Sequence, residues 1–328
     1  MEWRTELQVK PVKNKISLGH TIFTIGSCFS DEIGHLLLQN KFTVSKNPFG
    51  TIYNPLSIHQ LLHFGLDNQF PKKDTYSTNK EIHFNYHFHS SFSSLSKDDL
   101  KDKVEKSIGD SHSFLKSADR IIITYGTAFG HYLRGTTNVV ANCHKMPSIN
   151  FDKSYIDQST IVQSFQEFYN KIKSINPSVK FVVTVSPVRH LKDTLESNAV
   201  SKSLLRVSCE SLANAYTDVD YFPAYEIMLD DLRDYRFYKS DLLHPSDDAV
   251  GYIWEKFVNA YFDEPAKKFI ADWKKITNDL AHRPFQPRSE GHVKFLKSIL
   301  DELDKWEGAV DVNRERSEVL QRIRQSSE

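Results

Sequence analysis

The stretch that most constrains the fold is Thr21 to Asn40, TIFTIGSCFSDEIGHLLLQN. Thr21 to Ile25 is β-branched and aromatic, the composition of a buried strand. Gly26 breaks that run. Ser30 and Asp31 are good N-cap residues, and Ile33, Leu36 and Leu37 follow at helical spacing. The segment predicts strand, tight turn, helix, with Ser27 and Cys28 at the turn. A side chain there sits at the carboxyl end of a strand and the positive end of a helix. Open α/β sheets place ligands at such points, and an anion or thiolate is favoured there.

Similar units recur along the chain. Lys41 to Ser45 predicts a short strand, followed by a rigid, turn-rich loop, Asn47 to Pro55 (NPFGTIYNP). Asp119 to Tyr125 and Lys180 to Val185 predict buried strands, and Val219 to Ala224 an edge strand because it contains Pro223. Helices are predicted over Leu56–Phe64, Ser96–Ile108, Ser159–Ile175 and Ser201–Tyr216, and from Ser246 to about Phe262. Nearly continuous apolar strands alternating with helices imply an α/β fold, a parallel sheet covered on both faces. Gly26-Ser27-Cys28, Gly50, Gly126-Thr127 and Ser186-Pro187 each directly follow a strand. In a parallel sheet these places share one edge, and that edge is the predicted site.

Composition narrows the partners. Lysine plus arginine equals aspartate plus glutamate at 42 each, so no global field attracts nucleic acid or an anionic membrane. No apolar run approaches the ~20 residues of a membrane span, and MEWRTELQVK lacks an apolar signal core. Three cysteines without paired spacing, Cys28, Cys143 and Cys209, argue against a disulfide framework and for a reducing cytoplasm. Residues 1–262 are expected to form the main domain. Residues 263–328 are expected to form a helical extension, charged and amphipathic, that is a candidate surface for self-association.

An acyl-transfer site needs a nucleophile, a base, a carboxylate to orient the base, and donors for the oxyanion. Cys28 or Ser27 supplies the nucleophile. His244 is the base candidate, with Asp241 three residues upstream to hold one ring nitrogen. Buried inertness is the ordinary state of a cysteine, and N-capping the ordinary work of Ser27 and Asp241. Arg233, Asp234 and Arg236 read as an ion-pair set, with Arg236 also a candidate for holding a substrate anion. Lys80 to Phe92 alternates, with Ile82, Phe84, Tyr86 and Phe88 on one face and His83, Asn85, His87 and His89 on the other. His83, His87 and His89 lack a Cys or Glu at ligand spacing, so a solvated or substrate-facing strand is the expectation, not a metal centre. No cofactor is called for.

Several motifs, in this order, resemble the GSCFA family, grouped with the SGNH (GDSL-like) hydrolases. They are IGSCFS (Ile25–Ser30), NPFGTIYNP, HSSF (His89–Phe92), YGTA (Tyr125–Ala128), NCHK (Asn142–Lys145), SPVRH (Ser186–His190) and RDYRFYKSDLLHPS (Arg233–Ser246). They cover about residues 20 to 260. The resemblance implies a three-layer α/β/α sandwich with a mostly parallel sheet of about five strands, and ester or acyl-group chemistry. Asp241 and His244 fit the family's Asp-x-x-His block, and Gly50 its second-block glycine. Aligned through Gly26 without a gap, Cys28 takes the nucleophile position and Ser27 replaces the usual aspartate. The asparagine expected after the third strand is absent from Gly126-Thr127-Ala128, so Thr127 or a residue of the Asn142–Lys145 loop, such as Asn142, must replace its oxyanion donor.

Two readings follow. The first is an esterase, deacetylase or acyltransferase working through Cys28 (or Ser27), His244 and Asp241, with Gly50, Gly126, Thr127 and Asn142 as oxyanion candidates. His89, His144, Arg189 and Arg236 would shape a pocket for a small-molecule or carbohydrate ester. The second is a binding module on a retained hydrolase fold, favoured by the missing asparagine. A metal-dependent hydrolase through the three histidines is a third.

Overall fold

The computed structural model describes residues 5–327. The chain runs β1 (Thr21–Gly26), α1 (Cys28–Gln39), β2 (Thr43–Lys46), α2 (Pro55–Asp67), β3 (Tyr76–Asn79), β4 (Ile82–Asn85), β5 (Ser93–Ser94) and α3 (Lys97–Leu115). It continues through β6 (Arg120–Tyr125), β7 (Phe129–Leu133), β8 (Val139–Val140), β9 (Phe151–Tyr155), α4 (Gln158–Ile175), β10 (Lys180–Val185), α5 (Leu195–Ala215) and β11 (Val219–Phe222). The remaining helices are the short α6 (Ala224–Glu226), α7 (Asp247–Tyr261), α8 (Glu264–Ala281), α9 (Glu290–Asp304) and α10 (Asn313–Ser327).

A five-stranded parallel sheet, in the order β11-β10-β6-β1-β2, forms the middle layer. Alternation along each strand feeds two cores. Ile22, Ile122 and Val182 point to one side, where α1, α7 and α8 pack. Phe23, Ile25, Ile121, Ile123, Phe181 and Val183 point to the other, where α2, α3, α4 and α5 pack. This is the three-layer α/β/α sandwich that the resemblance implies, and Val219–Phe222 lies at the sheet edge as Pro223 requires.

The C-terminal helices do not stand apart. Phe262, Ala266, Trp273, Leu296, Leu303 and Val319 are buried in the same apolar cluster as Ile22 and Leu37. The Trp273 indole donates to Gln39 O at 2.8 Å, and Lys41 pairs with Glu315 at 2.8 Å, so α8 and α10 are tied to the end of α1.

Two local expectations need correction. First, α1 starts at Cys28, with Ser27 as N-cap, not at Ser30 or Asp31. Gly26 adopts φ +141°, which turns the chain at the strand end and lets the helix begin at once. Second, Lys80–Phe92 is not one strand. The Asn85 side chain donates to Thr75 Oγ1 and accepts the His87 amide, which ends β4 in a turn. Ile82 is therefore exposed while His87 is buried against Phe64. Beyond the parallel sheet, β7 joins β8 and β9 in a small antiparallel sheet, and β3, β4 and β5 form another.

Candidate active site

The loops at the carboxyl edge of the sheet converge on Ser27–Cys28. Gly26 is required here, because a Cβ on it would lie 2.1 Å from Thr124 O. Its amide donates to Asn47 Oδ1 at 2.9 Å, and Ser27 N donates to Thr124 O at 3.0 Å. These bonds fix the two candidate nucleophiles differently. The Ser27 hydroxyl is sealed inside, with no partner among the described residues and its residue only 1% exposed. Cys28 is half-buried at the first position of α1, and the amides of Cys28 and Phe29 donate toward its thiol. Burial still pushes the thiol up from its ordinary value, so the resting group is protonated and needs a base to ionise.

That base candidate lies on the loop between β11 and α7. His244 Nδ1 is 2.6 Å from Asp241 Oδ2, with both side chains half-exposed. Leu242, between them, adopts φ +59°, and this turn folds His244 back onto Asp241. The amides of His244 and Leu243, then the His244 ring, hold the Asp241 carboxyl at about 2. The loop is tied to the site edge at two points. Arg189 N donates to Leu243 O at 3.2 Å, and Lys239, whose amide donates to His244 O, reaches Glu32 of α1 at 3.8 Å. Among the described residues, no hydrogen bond joins His244 to Cys28.

The oxyanion candidates are placed as follows. The Gly126 and Thr127 amides both donate to Tyr53 O, at 2.8 and 3.1 Å. Thr127 Oγ1 lies 3.1 Å from Ser201 Oγ and accepts the Phe129 amide. The Gly50 amide closes a turn onto Asn47 O at 2.8 Å, with Gly50 at φ +77°. The next amide, Thr51 N, has no partner among the described residues, while the Thr51 hydroxyl bonds Asp31 in the first turn of α1 at 2.9 Å. Asn142 lies elsewhere. Its Oδ1 accepts the His144 amide, beside the small sheets rather than the parallel one.

The pocket candidates divide in the same way. His89 packs against Gly50, and burial lowers its pKa while Asp31 raises it, so it belongs to the edge around α1. His144 is buried, stacks on Phe84 at 4.2 Å and donates from Nε2 to the Asn85 and Phe88 carbonyls. That network leaves its ring facing the chain itself. Arg189 lies 4.2 Å from the Tyr238 ring and 5.1 Å from the exposed Tyr235 ring. With Pro187, Leu195 and Tyr225 it lines a cavity of about 280 Å³ next to the His244 loop. Arg236 extends over Phe237 and reaches Asp234 at 3.9 Å on the open surface. His83 pairs with Thr78 Oγ1 at 2.7 Å, away from His87 and His89. Among the described residues no group of three His, Cys, Asp or Glu is arranged to hold a metal ion. No described helix is long and apolar enough to cross a membrane.

Three further residues lie at the edge: Tyr53 and His190, which the sequence placed only within the NPFGTIYNP and SPVRH motifs, and Lys202, which it did not single out. His190 Nε2 donates to Gly126 O at 2.8 Å, and burial first, then Lys202, holds its ring at about 4. Lys202 shares an apolar stripe of α5 with Leu205, Cys209 and Leu212. A lysine within such a stripe was the available sign of a buried amine.

Solved structures with some likeness include a family 3 carbohydrate esterase from Talaromyces cellulolyticus (9% identity, TM-score 0.37, 78% of this chain and 99% of that one). Another is a family 2 carbohydrate esterase with a carbohydrate-binding domain from Corynascus thermopiles (13% identity, TM-score 0.39, 79% of this chain and 68% of that one). A third is an acetyl xylan esterase from Butyrivibrio proteoclasticus (11% identity, TM-score 0.35, 79% of this chain and 64% of that one). Likeness at this level does not bear on what this chain acts on. No curated protein matches it in sequence. Residues 21–257 match the model of the GSCFA family, and residues 273–325 match that of the GSCFA domain protein, C-terminal domain. With most of its length under these two matches, the chain belongs to the GSCFA family.

Proposed function

We propose that this protein is an acyl-transfer enzyme, a hydrolase or acyltransferase acting on an ester through Cys28, His244 and Asp241. The observation that carries the reading is the contrast between a half-buried Cys28 at a helix N-terminus and the sealed hydroxyl of Ser27. A nucleophile must reach its substrate, and Cys28 is the one of the two that solvent touches.

In this reading His244 Nε2 takes the Cys28 proton as Sγ bonds the acyl carbon. The carbonyl oxygen becomes an oxyanion held by the Cys28 amide and, from the loop after β2, Thr51 N. Collapse breaks the ester C–O bond, and the alcohol leaves with the proton from His244. Water or a second acceptor then takes the acyl group from sulfur. Asp241 keeps His244 in the tautomer with Nδ1–H donating to the carboxylate, leaving Nε2 free to accept. Catalytic hydrogen bonds often tighten only with substrate present, so a separated His244 and Cys28 is compatible with this role. Arg189 and the exposed Tyr235 ring suit a small polar or carbohydrate ester, and three unpaired cysteines suit a reducing compartment.

A second reading, a binding module, is favoured by the engagement of the Gly50, Gly126 and Thr127 amides within the chain. One experiment separates the two. Wild type and the variants Cys28→Ala, Ser27→Ala and His244→Ala are treated with a thiol-directed and a serine-directed acylating probe, and adducts are located by mass spectrometry. The enzyme reading expects a His244-dependent adduct on Cys28. Folded protein with no adduct at either residue supports the binding module, and an adduct on Ser27 overturns the choice of nucleophile.

A further inference from the structure

We infer that Lys202 is a positioning residue of this site, a buried cation that holds two strand ends together and stabilises negative charge at Cys28. The inference rests on the assignment of Cys28 as nucleophile.

Lys202 is 1% exposed and is the one buried lysine among the described residues. Its Nζ donates to Gly126 O at 2.8 Å and to Ser186 O at 2.7 Å. Those carbonyls belong to the residues directly after β6 and β10, two neighbouring strands of the sheet. Among the described residues no carboxylate lies within ion-pair distance of Nζ. Burying an amine without a counter-ion is unfavourable, and two carbonyls offset that only in part. Such a group suits a place where an anion forms during function.

The neighbourhood fits that role. Gly126 touches Ser27, whose Cβ lies 3.2 Å from where a Gly126 Cβ would stand. Lys202 is therefore one peptide group away from Ser27, the residue before Cys28. The other groups facing it are His190, which shares the Gly126 carbonyl, and the Tyr225 ring at 5.8 Å. The His190 ring is neutral at neutral pH and Tyr225 is a phenol pushed up by burial, so neither supplies an anion. Burial lowers Lys202 itself to about 7, so the amine is about half charged at neutral pH, and the one opposing influence is Cys28, whose anion draws the proton onto Lys202. The amine also acts through the backbone. It anchors Gly126 O, the Gly126 and Thr127 amides hold Tyr53 O, and the Tyr53 phenol is close enough to Cys28 to feel its charge.

The test compares alkylation of Cys28 by anionic iodoacetate and neutral iodoacetamide, with N-acetylcysteine as the reference thiol. Wild type should favour iodoacetate over iodoacetamide roughly fivefold to tenfold more than the free thiol does, the scale of one partly screened charge nearby. Lys202→Met should remove most of that preference. A folded Lys202→Met variant with the wild-type preference overturns the proposal, because loss of packing alone does not distinguish the two reagents. A measurement on wild type guards against a variant that does not fold. With ¹³Cε-labelled lysine, the buried lysine should titrate at higher pH when Cys28 carries a carboxymethyl group than when it carries a carbamidomethyl group. Equal midpoints overturn the proposal. A charge preference without any acyl-transfer activity would sink the enzyme reading and leave Lys202 in place; activity without the preference would do the reverse.

Discussion

Asp241 Oδ2 lies 2.6 Å from His244 Nδ1, while Asp241 Oδ1 accepts the amides of Leu243 and His244 at 2.9 and 3.0 Å. One oxygen builds the turn and the other orients the ring. Asp241→Asn separates these two tasks. Asparagine keeps an acceptor for the amides but presents an N–H to Nδ1. The ring then turns to the tautomer with Nε2–H, which cannot take a proton. Cys28-dependent acyl turnover should fall roughly 10- to 100-fold, and His244→Ala should lower it further, within the ~10²–10⁴ range of general-base catalysis. The thermal midpoint should stay near wild type, since Asp241 is half-exposed. Asp241→Asn with wild-type turnover would remove Asp241 from the mechanism.

Much of this edge was legible because its cues are local. TIFTI is a strand by composition, Gly26 is the break, and Asp-x-x-His spans one turn. What stayed hidden depends on distant partners. The helix start at Cys28 follows from Gly26 at φ +141°, a conformation set by close contact with Thr124 of β6. The alternating His83–His89 run reads as a strand until Asn85 meets Thr75. Gly50 and Gly126 stand at the expected strand ends, but the destination of their amides, Asn47 O and Tyr53 O, is a matter of loop path. Lys202 lies in an apolar stripe of α5 that hints at burial, but its two carbonyl partners show only once α5 is laid across Gly126 and Ser186.

Gly26→Ala should be among the most damaging single changes. The added methyl would meet Thr124 O at 2.1 Å, backbone that cannot swing aside, and the φ of +141° is strained for any residue with a Cβ. Strain of about 1–3 kcal/mol and overpacking of about 1–3 kcal/mol put the loss near roughly 2–6 kcal/mol. The β1–β6 pairing would have to open at the point that carries Ser27 and Cys28. Chemical denaturation should show the drop, together with slowed Cys28 alkylation at temperatures where the variant is folded. A midpoint close to wild type would mean that this turn is softer than the contact implies.

Acid should destabilise the fold through histidines buried as neutral rings. His59 is fully buried, with Nε2 2.7 Å from the Tyr125 hydroxyl and Nδ1 3.0 Å from Ser164 Oγ. Burial, with a smaller push from His63, lowers it from 6.5 to about 3. Burial holds His87, His144 and His190 at about 4 as well. Below pH 6.5 the unfolded chain takes up protons that these folded rings refuse. Their contribution is therefore full above pH 6.5 and is lost as pH falls toward 3 to 4. For His59 alone the loss at pH 5 is about 2 kcal/mol. Urea unfolding of wild type and His59→Gln at pH 8 and pH 5 isolates that share. The variant should be weaker at pH 8 by about 1–3 kcal/mol, since one hydroxyl partner loses its bond. It should nonetheless lose less stability than wild type between pH 8 and pH 5, because glutamine takes up no proton in either state. Equal losses in the two proteins would place the acid sensitivity in the other three rings and not in His59.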